Sequence, residues 1–262
     1  MLGAAASGFG YIRVFGSLGF AASALGLGWF GVDRALRAPF ALAALAYLVA
    51  TLAAARLQEA ALPKRPALGT ALRALATRAD VALLWLGSFF HYLAHGAFDA
   101  YFGPHVRTLP DTSVATISAA WSIGVITEIV LIWFVPRWLE TRTGRYLLLG
   151  SALFAALRWA LLARVRSGLE VLLLQPLHGV TFGVWYLAFV HENQARAPSE
   201  IRATVQGVAQ ACIGAGFLGS TLIGGYLLER LGGRMLFDAA AYAALLAAGC
   251  YAAREWIVRR KR

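Results

Sequence analysis

The stretch VALLWLGSFFHYLAHGAFDAYFG, residues 81–103, decides the fold class. As a helix rising about 1.5 Å per residue it spans about 34 Å, enough to cross a hydrocarbon core of about 30 Å. Yet it carries His91, His95 and Asp99 at i, i+4 and i+8, which places all three on one helical face. A charge at the bilayer centre costs about 2.5–3.5 kcal/mol on insertion scales. Such a face must therefore meet other polar groups or a wet cavity. The next three apolar runs repeat the conflict: Glu128 lies in 114–135, Arg158 in 147–164 and His178 in 169–190. Four successive spans with ionisable interiors suggest a pathway for protons and a solute.

Composition agrees with a membrane setting. Of 262 residues, 60% are hydrophobic and only 14% charged, against about 25% charged in soluble domains. Eight spans are expected, at about 14–32, 39–57, 81–103, 114–135, 147–164, 169–190, 204–228 and 236–253. The runs lack the alternation of barrel strands, and backbone groups in lipid need internal partners. The expected fold is thus an all-α polytopic membrane protein of about eight transmembrane helices. No cleavable signal reads out, because no basic region precedes the first apolar run. A net charge of +11 would suggest nucleic acid in a soluble chain. Here the cations sit between spans, so no nucleic-acid partner is inferred. Cys212 and Cys250 fall inside apolar runs and read as small hydrophobes rather than a disulfide.

The loops orient the chain. One set holds Arg13, then Arg56, Lys64, Arg65, Arg73 and Arg78, then Arg137, Arg142 and Arg145, then Arg196 and Arg202, then the basic C-terminus. The other set holds fewer cations, among them Arg34, Arg107, Arg164 and Arg230. The richer side is expected to be cytoplasmic, which puts both termini on the cytoplasmic side of a plasma (inner) membrane. Residues 58–80 form a long basic connection with two prolines. Leu68 to Leu75 read either as a surface amphipathic helix or as solvated linker. The chain therefore divides into two spans (1–57), a cytoplasmic linker (58–80) and six spans (81–262).

The polar faces name the candidate residues. Asp99, Glu128, Arg158 and His178 are the candidates for proton coupling and the substrate pathway. On 169–190, Gln175, His178, Phe182, Trp185 and Tyr186 share one face at i, +3, +7, +10 and +11. With His91, His95 and Trp121 these residues are candidates to line a cavity. At about 1.5 Å per residue, His91 and His178 lie near mid-span, Glu128 roughly 6 Å toward the cytoplasm and Arg158 roughly 4 Å toward the outside. Asp99 lies roughly 10 Å toward the outside. Arg158 is long enough to reach a carboxylate across the bundle. A carboxylate that alternates between an arginine-paired and a protonated state couples proton movement to conformation. The structural alternative for the histidines and aromatics is ordinary packing. Glycines 214, 216, 219, 224 and 225 in 204–228 read first as close helix packing. A rival function is a membrane-embedded metal hydrolase with His91, His95 and Asp99 on Zn²⁺. No HEXXH supports it, and no cofactor is called for.

Several motifs resemble the lactose permease-like branch of the major facilitator superfamily. Tyr11-Ile-Arg13-Val-Phe-Gly16-Ser-Leu-Gly19-Phe20 resembles the start of its fifth helix, and Leu157-Arg158-Trp159 its ninth. Gln175-Pro-Leu-His178-Gly179-Val-Thr-Phe182-Gly183 resembles its tenth and is the most specific piece. Arg202-Ala-Thr204-Val-Gln206-Gly207 resembles the start of the eleventh, and Gly224-Gly225-Tyr-Leu227 its end. Within the branch, phenylpropionate permease-like and nucleoside–proton symporter-like proteins are the nearest in character. The resemblance implies a chain equivalent to helices five to twelve, N-terminally truncated by about four helices. It implies secondary transport of a small organic solute with protons, not enzymatic catalysis. By motif position, proton coupling and substrate recognition then fall on Asp99, Glu128, Arg158 and His178. Lactose permease has a carboxylate within one turn after the tenth-helix histidine. Here Gly179, Val180 and Thr181 follow instead, which shifts the expected proton site to Glu128 or Asp99. If the truncation is real, a non-transporting role with a membrane partner or an oligomer is the alternative.

Overall fold

The computed structural model describes residues 14–20, 22–23, 26, 38–56, 69, 73, 75–139 and 146–260. All regular structure among them is helical, as a chain of apolar runs in lipid requires. Residues 14–20 are helical, and α1 follows at Ala38–Ala54. Next come α2 (Ala79–Val106), α3 (Val114–Leu139), α4 (Leu147–Leu162) and α5 (Gly168–Leu174). A π-helical segment, Gly179–Val184, runs directly into α6 (Trp185–Arg196). The last element, α7 (Arg202–Arg260), is one helical run broken at Gly232. Most of the rest of the expected first span lies outside the described residues. So does most of 58–80, of which 69, 73 and 75–76 are helical.

Gly232 has φ +80° and ψ 170°, a backbone state that a side chain would strain. It turns α7 back on itself, so that Leu236 of the second arm packs beside Gly224 of the first. The two arms occupy the expected spans 204–228 and 236–253. The broadest packing in the bundle joins α2 to α7. Backbone meets backbone at Gly216, where a Cβ would strike the carbonyl oxygen of Phe89 and stand 3.0 Å from the Leu93 nitrogen. Gly219, Gly224 and Gly225 also face α2, whereas nothing lies within 4 Å of a Cβ on Gly214. Four of the five glycines in that cluster therefore serve close approach.

The distribution of polarity suits a lipid solvent. Leu86, Ile126, Trp133, Leu153, Leu222 and Leu246 point outward, while His91, His95, Glu128, Arg158, Gln175 and His178 are buried. Two apolar blocks flank that polar layer. One gathers Leu84, Trp85, Ala152, Phe189, Val205 and Tyr251. The other gathers Phe98, Phe102, Ala155, Trp159, Phe237 and Ala244. Along α2 the layer falls between Trp85 and Phe98, and along α4 between Ala152 and Trp159.

A second polar group ties one end of the bundle together. Asp80 at the start of α2 accepts from Arg78 at 3.0 Å and Arg196 at 3.3 Å. Arg196 also pairs with Glu192, as does Arg254 near the end of α7. Arg254 donates to Glu255 at 3.0 Å. Arg254 is 1% exposed and Asp80 5%, so the group is anchored on buried charges, with Arg78 at its exposed edge. The sequence reading treated Arg196 and Arg254 only as orienting cations. Each has one partner close in sequence, but Asp80 for Arg196 and Glu192 for Arg254 lie far along the chain, and only the fold brings those pairs together.

Candidate functional site: a polar layer beside an aromatic cavity

Local irregularity builds the site. Ser167 caps α5 by accepting from the Glu170 N–H at 3.3 Å, and the Glu170 carboxylate accepts from the Arg166 N–H at 2.7 Å. This reciprocal arrangement is the logic of a capping box. Pro176 then interrupts the helix, since it has no N–H to donate. The backbone resumes through a bond from His178 N–H to the Gln175 carbonyl and widens into the π segment. A π turn holds an extra residue and is frequent at functional sites. The extra residue changes which side chains face inward after His178. Thr181 joins the inner face, Trp185 is buried against His91, and Tyr186 turns toward Gln210 of α7.

Arg158 is the centre of the layer. Its Nη1 donates to His178 Nδ1 at 3.2 Å and to Thr181 Oγ1 at 3.0 Å, and its Nη2 donates to Gln175 Oε1 at 3.0 Å. Gln175 in turn donates to the Val171 carbonyl at 3.0 Å. The guanidinium also lies over the Phe98 and Trp159 rings, at 4.3 and 4.6 Å, in the geometry of cation–π attraction. The expected pairing of Arg158 with a carboxylate is not what forms. Among the described residues no carboxylate lies within ion-pair distance of it. Neutral acceptors from the tenth-helix motif take its donors instead: Gln175 and His178 ahead of the π segment and Thr181 within it.

That contact fixes the chemistry of His178. Arginine only donates, so Nδ1 must accept and the ring proton is assigned to Nε2. Nε2 faces Glu128 Oε2 at 3.8 Å. Glu128 also accepts from Ser17 Oγ at 3.0 Å. Close backbone approach permits this arrangement. A Cβ on Gly183 would lie 2.8 Å from Glu128 Cγ, and one on Gly179 would lie 2.8 Å from the Thr127 carbonyl.

The three histidines of the layer are spaced through it. His91 donates from Nε2 to the Thr181 carbonyl at 2.9 Å and stacks on Trp185 with centroids 4.3 Å apart. Trp185 donates to Tyr251 Oη at 2.9 Å. His95 lies 5.6 Å from the His178 ring and 5.2 Å from Phe182, and its Nε2 is 3.7 Å from Asp99 Oδ1.

These elements enclose a cavity of about 470 Å³ lined by Gly16, Ser17, Phe20, Tyr92, His95, Asp99, Trp121, Val125, Glu128, His178 and Phe182. Its volume is in the range of small-molecule sites. The layer thus places Asp99, Glu128, His178, His95, Trp121 and Phe182 at the wall. Arg158, Gln175, His91 and Trp185 stand behind it. Tyr186 accepts from Gln210 at 3.1 Å instead. Gln175 is drawn behind the wall by Arg158 and His91 by the Thr181 carbonyl, while Trp185 and Tyr186 follow the register change of the π turn. Ser17 and Thr181 were not singled out from sequence. A small hydroxyl in an apolar run is an unremarkable residue until its partner is known. The hydrolase alternative gains nothing from this geometry: among the described residues no group of three metal-ligating side chains forms, and the Nε2 of His91 is committed to a carbonyl.

An all-helical bundle with an apolar exterior and a buried charged layer is a polytopic membrane protein. The profile of the MFS_1 like family matches residues 1–239, and the chain belongs to that family. The resemblance to the major facilitator superfamily drawn from the motifs therefore holds. Over 226 residues the chain is 30% identical to a maltose permease of Geobacillus stearothermophilus, covering 85% of this chain and 57% of that protein. Over 142 residues it is 26% identical to a probable 3-phenylpropionic acid transporter of Escherichia coli (strain K12), covering 53% of this chain and 38% of that protein. The chain spans about half the length of the curated relatives it matches.

Proposed function

We propose that this chain works in secondary active transport, moving a small organic solute together with protons by alternating access. The observation that carries this is the Glu128–His178 pair at the wall of a solute-sized cavity, held from behind by Arg158. Glu128 is the proton carrier. His178 cannot take a second proton at Nδ1 without losing the Arg158 contact, so it orients and senses Glu128 rather than shuttling. Residues 81–262 supply the six-helix half that holds the layer. Residues 1–57 supply two helices of the other half, and 58–80 the cytoplasmic connection. Both termini face the cytoplasm of the inner membrane, on the strength of the loop cations. The names of the two relatives, a permease and a transporter, favour the same function.

Uptake into vesicles tests it. Wild-type protein is expected to accumulate solute only while a proton gradient is maintained. Glu128→Gln is expected to abolish that gradient dependence at unchanged protein level. Wild-type uptake indifferent to the gradient would sink the symport claim.

A further inference from the structure

The described residues of the cavity wall carry charge of one sign only. Among the described residues that line it, Asp99 and Glu128 are the ionic groups, and no lysine or arginine appears. The one guanidinium of the layer is 1% exposed and is enclosed by His178, Thr181, Gln175, Phe98 and Trp159. A solute in the cavity cannot reach it without dismantling the layer. The two carboxylates differ. Glu128 is engaged by Ser17 and His178. The Asp99 side chain is 28% exposed toward the cavity, and the His95 imidazole at 3.7 Å is its neighbour.

The remaining wall is aromatic: Phe20, Tyr92, Trp121 and Phe182. Phe20 and Trp121 meet edge to face at 5.6 Å. The wall also holds a buried polar atom without a hydrogen-bond partner, His95 Nδ1, on a residue 1% exposed. Because Asp99 faces His95 through Nε2, the proton is assigned there, and Nδ1 is left as an acceptor. That atom is closed off from the cavity, so the wall offers a solute carboxylate oxygens and the negative faces of aromatic rings. Each of these attracts a cation, and none repays the desolvation of an anion.

We infer that the cavity recognises a ring-bearing organic cation, with Asp99 as the residue that receives its ammonium group. This rests on the transporter reading and narrows its solute. The ammonium sits against the Asp99 carboxylate, and the ring packs among Trp121, Phe182 and Tyr92. Asp99 thereby selects the solute while Glu128 handles the proton.

Direct binding to the purified full chain in detergent tests the assignment, with three probes of one ring size: 2-phenylethylammonium, 2-phenylethanol and 3-phenylpropionate. Titration followed by tryptophan fluorescence or calorimetry is expected to show the cation bound at least about tenfold more tightly than the anion. Asp99→Asn is expected to erase that preference while leaving the neutral alcohol unchanged. Asp99→Glu is expected to restore much of it. Binding of the anion as tight as the cation, a preference that survives Asp99→Asn, or no binding of any probe would each overturn the proposal. Uptake that ignores the proton gradient would instead overturn the symport reading and leave this binding preference standing.

Discussion

At the residue level, Arg158 shows how one side chain can govern another without touching solute. Its donors reach His178, Thr181 and Gln175, and the first of these contacts sets which nitrogen of His178 faces Glu128. Lysine cannot reproduce a planar fork. Arg158→Lys is expected to leave at least one buried acceptor unsatisfied, at a cost of about 1–3 kcal/mol. Thermal unfolding in detergent measures that loss, and proton-driven uptake is expected to fall with it even where folded protein is recovered. The ionisable residues were legible in the sequence because their insertion cost makes them conspicuous in an apolar run. Ser17 and Thr181 were not, since a hydroxyl costs little and its importance is set by what it meets. The direction in which Arg158 points was equally illegible: reach alone allowed a carboxylate, and only the packed layer supplied closer acceptors.

Among the elements, the π segment matters most. A regular helix after His178 would present Phe182, Trp185 and Tyr186 together, which is how the spacing reads. The widened turn sends Thr181 inward, keeps Phe182 at the cavity and hands Trp185 to His91. Span positions follow from apolar length, so α1 to α7 were largely foreseeable. A π turn is not, because it arises from the fit between helices rather than from local propensity. The fit is tight at Gly183, where a Cβ would lie 2.8 Å from Glu128 Cγ. Gly183→Ala is therefore expected to push α3 from the π segment and destabilise by about 1–3 kcal/mol. Uptake with expression-level controls is expected to show a loss larger than the loss of folded protein. Equal activity per folded molecule would mean that this contact does not set the Glu128 position.

For the whole molecule, the buried ion group at the ends of α2, α6 and α7 holds the bundle at one face. Arg254 is the member with most to lose, since it serves Glu192 and Glu255 while almost fully buried. Removing one partner of a buried pair strands the other charge, at about 3–5 kcal/mol. Arg254→Ala is expected to lower detergent-phase thermal stability by that amount. A double-mutant cycle with Glu192→Gln is expected to show strong coupling between the two positions, and simple additivity would dismiss the network as incidental. Loop charge statistics located these cations without revealing their partners. The arginines of one membrane face look alike in sequence, and burial separates them.

Gly232 decides more than a local bend. With its backbone in the left-handed region, the run from Arg202 to Arg260 passes through the bundle twice instead of once. An even number of passes returns a chain to the side it left. Arg254 can therefore meet Glu192, which lies just before that run begins. Had the helix continued straight, the basic tail and the acidic end of α6 would stand on opposite faces. The sidedness of the C-terminus is thus a matter of parity, and the parity turns on a single residue without a side chain.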